Sequence, residues 1–267
     1  MKIHSYFRFF VPALVMLAAG VFNAGCAGSP KTSAGNALFF TTTYGETVPA
    51  SDDSDNTLEL SFTLVDSRDE RLKEFVRSLL YSGRSPEDYA AKITDDLKTT
   101  YILTLEENSD WGLDQSWSYN EGQEVLVKGP YALVTQAVDV YQGGAHPNYN
   151  TFHYVLDTQA PGQLGLKDII TEDGMQNLPG LMDRELRLFS GEAGKIPLPP
   201  GQPLSSGIYF DDSVDPADFF PAADGLHFTW NPYEIAAYVY GIIEITVGWD
   251  ELSLTGEGEK LAAAFKN

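Results

Sequence analysis

The sequence predicts an α+β fold, with helices packed on one face of a largely antiparallel sheet and the chain arranged as two abutting halves. Three observations carry that expectation. Two segments with helical periodicity come early, between Ser67 and Tyr101. Strand-like runs then follow one another from Trp111 to Asp157. The joints between those runs are turns, at Gly122, Gly129-Pro130 and Gly143-Gly144. Helices first and a meander after them is the order of an α+β protein rather than of an alternating parallel one.

Residues 1–25 carry Lys2 and Arg8 and no acidic residue, and the run from Phe9 to Phe22 is apolar. A spanning helix needs about 20 apolar residues. This run is shorter and contains Pro12, so it reads as a cleaved export signal. Cys26, the only cysteine, directly follows Ala24-Gly25. The arrangement resembles the lipobox of bacterial lipoproteins, whose cysteine is diacylated and becomes the first residue of the mature chain. Asn23 stands where that site usually has leucine, and the alternative is an ordinary signal peptide with a chance cysteine. An exposed free thiol is a poor thing to keep in an oxidising compartment. Lipidation of Cys26 is therefore expected, with the protein held in the bacterial cell envelope on a membrane outside the cytoplasm. The expected layout is a signal at 1–25, a flexible tether at 26–36, halves at 37–162 and 163–255, and a frayed tail at 256–267.

Ala37–Tyr44 and Thr57–Val65 read as strands, the second alternating Leu58, Leu60, Phe62 and Leu64 with polar residues. Ser67-Arg-Asp-Glu70 matches a capping box, and Leu72, Phe75, Val76, Leu79 and Leu80 follow at helical spacing. Ser85-Pro86 starts a second helix, with serine as N-cap and proline at the first helical position. Tyr89, Ile93, Leu97 and Tyr101 mark its apolar face. Trp111–Tyr119 and Glu124–Lys128 read as two strands joined near Gly122, followed by Tyr131–Tyr141. Beyond the turn at Asp157–Gly162, a helix is expected from about Pro179 to Phe189 and a proline-rich loop over Gly191–Ser206. Asp215–Phe220 suggests one helical turn, and Gly225–Trp230 and Gly241–Val247 are strands around Asn231–Tyr238.

The stretch around which the candidate site is organised is Tyr141-Gln-Gly-Gly-Ala-His-Pro-Asn148. Gly143 and Gly144 allow positive φ where the chain reverses, and Pro147 delays the next strand. His146 is thereby displayed at a bend. Two readings stand for it: its imidazole bonds loop backbone and fixes the turn, or it meets a partner from a rigidly held loop. Asn231-Pro-Tyr-Glu234 suggests a short turn entering a helical segment, in which Asn231 caps and Tyr233 packs. On the functional reading Tyr141, His146, Asn148 and Tyr233 contribute to partner binding, with Tyr141, His146 and Tyr233 on one exposed rim.

The formal net charge is −21, and loss of residues 1–25 leaves 15 basic against 38 acidic residues, a charge of −23. Nucleic acid and anionic lipid headgroups are repelled by such a surface, and a cationic partner is favoured. Simple solubility is the competing account. No G-x-S-x-G, H-E-x-x-H, phosphate-binding glycine loop or EF-hand spacing is present. His146 and His153 lie seven residues apart across a hairpin, a weak metal signal, so no metal and no cofactor is expected.

Two motifs carry a resemblance. The first is Tyr141–Asn148 followed by Phe152–Asp157 and the stretch to Asp168, and the second is Gly225-Leu-His-Phe-Thr-Trp-Asn-Pro-Tyr-Glu-Ile-Ala-Ala-Tyr238 with Gly241. Together they resemble the extracytoplasmic domain of RsiV-type anti-sigma factors, also found ahead of the catalytic domain in PdaC-type peptidoglycan deacetylases. Ala237 stands where that family usually has proline, and Val247-Gly-Trp249 replaces a more usual Ile-Pro-Tyr. The resemblance implies a binding domain, which in the regulatory members recognises lysozyme, a strongly basic enzyme. Neither a sigma-binding segment nor a deacetylase domain is written here, so the expectation is a binding lipoprotein for a basic protein such as lysozyme. Peptidoglycan fragments are the alternative ligand, and a cell-wall hydrolase the lesser one.

Overall fold

The computed structural model describes residues 31–33, 37–50, 55–108, 116–193 and 218–266. The expected export signal, Cys26, Trp111 and most of the expected tether and proline-rich loop lie outside the described residues. Lys31–Ser33 (β1), within the expected tether, pairs antiparallel with Phe39–Pro49 (β2). β2 pairs in turn with Thr57–Ser67 (β3).

Glu70–Tyr81 (α1) forms where the apolar spacing predicts it, but its cap is Asp69 and not the expected Ser67. Ser67 is still the last residue of β3, and its hydroxyl donates to the Leu38 carbonyl. Asp69 caps instead, its carboxylate accepting from the N–H groups of Arg71 and Leu72 at 3.1 and 3.0 Å. Pro86–Asn108 (α2) begins as expected, with the Ser85 hydroxyl accepting from Asp88 N–H at 3.1 Å. Because both helices intervene, β3 and Trp117–Lys128 (β4) pair in parallel. β4 runs unbroken through Gly122, which stays in register with Ala137 on one side and Thr63 on the other. The antiparallel meander continues through Tyr131–Tyr141 (β5), Asn148–Asp157 (β6) and Gly162–Gln163 (β7). Among the described residues these strands make a seven-stranded sheet in chain order.

The sheet is covered twice. On one face Leu58, Leu60, Phe62 and Leu64 of β3 and Ala132 and Val134 of β5 pack with Leu72 and Val76 of α1 and Tyr101 of α2. On the other, Tyr131, Leu133 and Val155 join the core of the second half with Leu226, Phe228, Trp230, Ile243 and Val247. The period-two alternation of β5 thus feeds two cores with adjacent residues. Burying each such aliphatic side chain contributes about 1.5–3 kcal/mol.

The second half begins with Leu166–Ile169 (α3) and Glu172–Ala193 (α4), then Asp218–Pro221 (β8), Gly225–Trp230 (β9) and Ile243–Gly248 (β10). These last strands form a three-stranded antiparallel sheet in the order β10-β9-β8. α4 starts seven residues before Pro179, with Thr171 Oγ1 accepting from Gly174 N–H at 3.2 Å. Residues 218–221 are a strand, not the expected helical turn, because Phe219 and Phe220 register against Phe228 and His227. The expected frayed tail is a helix, Gly256–Phe265 (α5). Thr255 caps it, Leu261 and Phe265 are buried, and Gly258 sits so close to the Ile169 carbonyl that a Cβ would lie 2.1 Å from its oxygen. No helix among the described residues is long and apolar enough to cross a membrane.

Candidate functional site: an aromatic rim where two turns meet

β6 has β5 on one side; on the other, β7 covers only Leu156 and Asp157, and the rest of that edge is where the second half is attached. Thr151 offers its N–H and carbonyl to the side-chain amide of Asn231, at 2.8 and 3.2 Å, so the amide takes the place of a neighbouring strand. Two residues on, His153 N–H donates to Asp218 at 2.9 Å. The Asp218 carboxylate also accepts from His153 Nδ1 at 2.7 Å and from Thr229 Oγ1 at 3.1 Å. Polar side chains thereby occupy an edge that would otherwise present unpaired backbone groups.

Asn231 is 4% exposed. It caps no helix: its own N–H donates to the Glu234 carboxylate at 2.7 Å, and Glu234 N–H returns to the Asn231 carbonyl. The segment that follows is a turn ending in a 3₁₀ turn at Tyr238–Tyr240. Ile235 and Ala236 point into the core, and Tyr233 is forced outward with φ +70°. A tyrosine in the left-handed region costs about 1–2 kcal/mol, a strain maintained only where its surroundings impose it.

The Tyr141–Asn148 loop reverses as its glycines predict, with φ of +83° at Gly143 and +109° at Gly144. Tyr141 O–H donates to the Gly144 carbonyl at 3.1 Å, and His146 Nδ1–H donates to the Pro147 carbonyl at 2.9 Å. The local reading of His146 is therefore present. The loop also has a long-range partner: Tyr238 O–H donates to the same Pro147 carbonyl at 2.7 Å, and the Tyr238 ring stacks on His146 with centroids 3.8 Å apart and planes 16° from parallel. Tyr149 meets Tyr238 edge-on at 5.2 Å, and Tyr233 lies 5.8 Å from it. Burial raises the Tyr238 phenol above its ordinary value, with smaller contributions from Tyr149, Asp139 and Tyr233.

His146 and Tyr233 thus flank one ring, Tyr238, and Tyr141 braces the loop from its base. Asn148 is set apart: strand alternation turns its side chain to the face opposite Tyr149. Tyr238, Tyr149 and Asp139 belong to the site although the sequence pattern does not mark them for it. Two of these were within reach of the alternation rule, since Asp139 and Tyr149 are register partners on the same face. His146 is exposed, Tyr233 is 44% exposed and Val239, at the tip, 81%.

Near the β8–β9 turn, His227 presents Nδ1 to Glu244 at 2.7 Å and Nε2 to Asp224 at 2.8 Å. Both nitrogens face carboxylates, which favours the imidazolium. The Glu244 hydrogen bond, with Asp224 behind it, outweighs burial and raises the His227 pKa. Phe220 stands between His227 and His153, with centroids 4.8 and 4.4 Å away. No group of three or more His, Cys, Asp or Glu among the described residues is arranged to hold a metal ion.

Fold and site together define an α+β scaffold of two sheets presenting an aromatic rim at their junction. Residues 167–250 match the model of the family described as a protein of unknown function, DUF3298. A DUF3298 family member from Bacteroides fragilis NCTC 9343 is similar in structure, with TM-score 0.66 and 20% identity over 90% of this chain and 98% of its own. A DUF3298 family protein from Pseudomonas aeruginosa PAO1 has TM-score 0.57 and 13% identity over 82% and 95%. At these identities the likeness is one of fold. No curated protein matches the chain.

Proposed function

We propose that the protein is a lipid-anchored binding module of the bacterial envelope, tethered through Cys26, that holds a basic protein such as lysozyme at the rim formed by His146, Tyr233 and Tyr238. The observation that carries this reading is the rim itself. Two segments 90 residues apart, Tyr141–Asn148 and Asn231–Tyr238, are fixed against each other through Tyr238 and the Pro147 carbonyl, yet leave Tyr233 and Val239 to solvent. Rigid display of aromatic rings from turns on a packed scaffold is what recognition uses. The charge of the chain supports the choice of partner, because a strongly anionic surface steers cationic proteins into encounter.

Titration of the protein with lysozyme at low and high salt tests this. Binding that weakens steeply as salt rises agrees with the proposal. The rings also suit a second reading, stacking on the sugars of peptidoglycan fragments; binding of muropeptides that ignores salt, with none of lysozyme, would favour it. Hydrolysis of cell-wall substrate by the purified protein would replace both with an enzyme. Attachment is tested separately by labelled palmitate, which the wild-type chain incorporates and Cys26→Ala does not.

A further inference from the structure

We infer that the rim is a receptor for a single cationic side chain, a partner's arginine or lysine, received by the ring faces around Tyr238 beside the Asp139 carboxylate. The inference rests on the binding reading above and says which chemistry that site accepts.

Asp139 lies directly across the ladder from Tyr149. Side chains of such a cross-strand pair stand about 5 Å apart on one face. Tyr149 in turn meets Tyr238 edge-on. The carboxylate therefore sits at the foot of the aromatic cluster. Asn120 is its hydrogen-bond partner, and no lysine or arginine among the described residues pairs with it. Partial burial raises its pKa, as befits an acid held partly out of water without a counter-charge.

The composition of the two turns points the same way. Neither Tyr141–Asn150 nor Asn231–Ile242 contains a lysine or an arginine, and the second contributes Glu234. A phosphate or another anion would find no lysine or arginine in either turn. A sugar needs donors and acceptors as well as ring faces. Here the Tyr141 hydroxyl is spent on Gly144, and the Tyr238 hydroxyl and His146 Nδ1 are spent on Pro147. With those three groups engaged, the centre of the rim presents the ring faces of Tyr233 and Tyr238, with the Asp139 carboxylate at its foot. Tyr233 and Tyr238 are splayed, 5.8 Å apart at 34°, and a cation is drawn to ring faces within about 6 Å of their centroids.

The test uses the full-length protein in detergent and NMR of its histidine and tyrosine ring signals. The probes are Nα-acetyl-argininamide, its neutral isostere Nα-acetyl-citrullinamide, and N-acetylglucosamine. The arginine probe is expected to shift the His146 and Tyr238 signals and citrulline to leave them in place. Asp139→Asn should weaken the arginine response roughly 3- to 10-fold, Tyr238→Ala should abolish it, and Tyr238→Phe, which keeps the ring, should retain most of it. Equal shifts from citrulline, shifts from the sugar alone, or none from arginine overturn the inference. Lysozyme titration run in parallel separates the two claims. If lysozyme binds and neither Asp139→Asn nor Tyr238→Ala weakens it, the cation receptor is wrong and the binding reading stands. If lysozyme fails to bind at any salt, that reading falls, and the arginine probe still decides the chemistry of the rim.

Discussion

The molecule has two clusters of tyrosines, and they are built in opposite ways. In the first, under the helices, the Glu121 carboxylate is 2% exposed. It accepts from the hydroxyls of Tyr89 and Tyr119 at 3.0 and 2.9 Å and from the amides of Gln123 and Gln136 at 2.8 and 2.6 Å. Tyr154 O–H adds a bond to Gln136 at 3.0 Å, and Gln123 accepts from Val65 N–H. In the second cluster, at the rim, the rings are exposed or half-buried, and the backbone carbonyls of Gly144 and Pro147 take the hydrogen bonds of Tyr141, Tyr238 and His146. The same residue type cements a core where an acceptor is buried with it and makes a surface where none is. A buried carboxylate without a cation is tolerable only because four donors surround it, and removing it strands them all.

The largest effect should come from breaking the first cluster. Glu121→Leu leaves four donors unpaired in the core and is expected to cost on the order of 3–5 kcal/mol in urea unfolding. A cost under about 1 kcal/mol would mean that water already reaches the carboxylate.

The second expected effect is alkaline. Burial pushes the Tyr154 phenol up to about 12 and carries Tyr81, Tyr89 and Tyr119 further in the same direction, with Glu121 adding to each. Their folded values lie above the unfolded one, so the stabilisation they confer is complete below pH 10.0 and is lost as pH rises beyond it. Phenolate absorbance should show these tyrosines ionising only above that range or together with unfolding.

A smaller, opposite-ended test concerns His227, whose folded pKa is raised by Glu244 and Asp224. Its contribution is full below the ordinary value of 6.5 and fades as pH climbs through the raised one. Relative to His227→Gln, the wild type should therefore hold its greatest advantage below pH 6.5 and lose it as pH rises through the raised value, in paired melting curves. A constant gap would mean that the imidazole acts by packing on Phe220. At the rim, Tyr238→Ala removes one hydrogen bond and the ring contacts to His146 and Tyr149 and should cost about 1–2 kcal/mol.

The difference between the clusters also explains how much could be read from the sequence. Period-two runs and the Ser85-Pro86 start specified β3, β5 and α2, because each is decided by neighbours a few residues away. Gly143-Gly144 announced the turn for the same reason. Asn231 was out of reach: a buried amide replacing a strand at Thr151, 80 residues distant, is long-range and looks like a helix cap from within its own segment. Tyr238 was hidden likewise, since only the folded chain brings it onto His146. The C-terminal helix was missed because Gly256 and Gly258 suggest fraying, although Leu261 and Phe265 share one face. Gly258 there serves close packing against Ile169 rather than flexibility.

The central claim, that the rim and not the buried cluster holds a basic partner, is tested most directly by lysozyme affinity in two single variants. Tyr238→Ala removes the ring at the centre of the rim, and Tyr89→Phe removes one hydroxyl from Glu121, with both confirmed as folded. The account predicts a loss of affinity of at least about ten-fold for Tyr238→Ala and wild-type affinity for Tyr89→Phe. Wild-type affinity in Tyr238→Ala would contradict it.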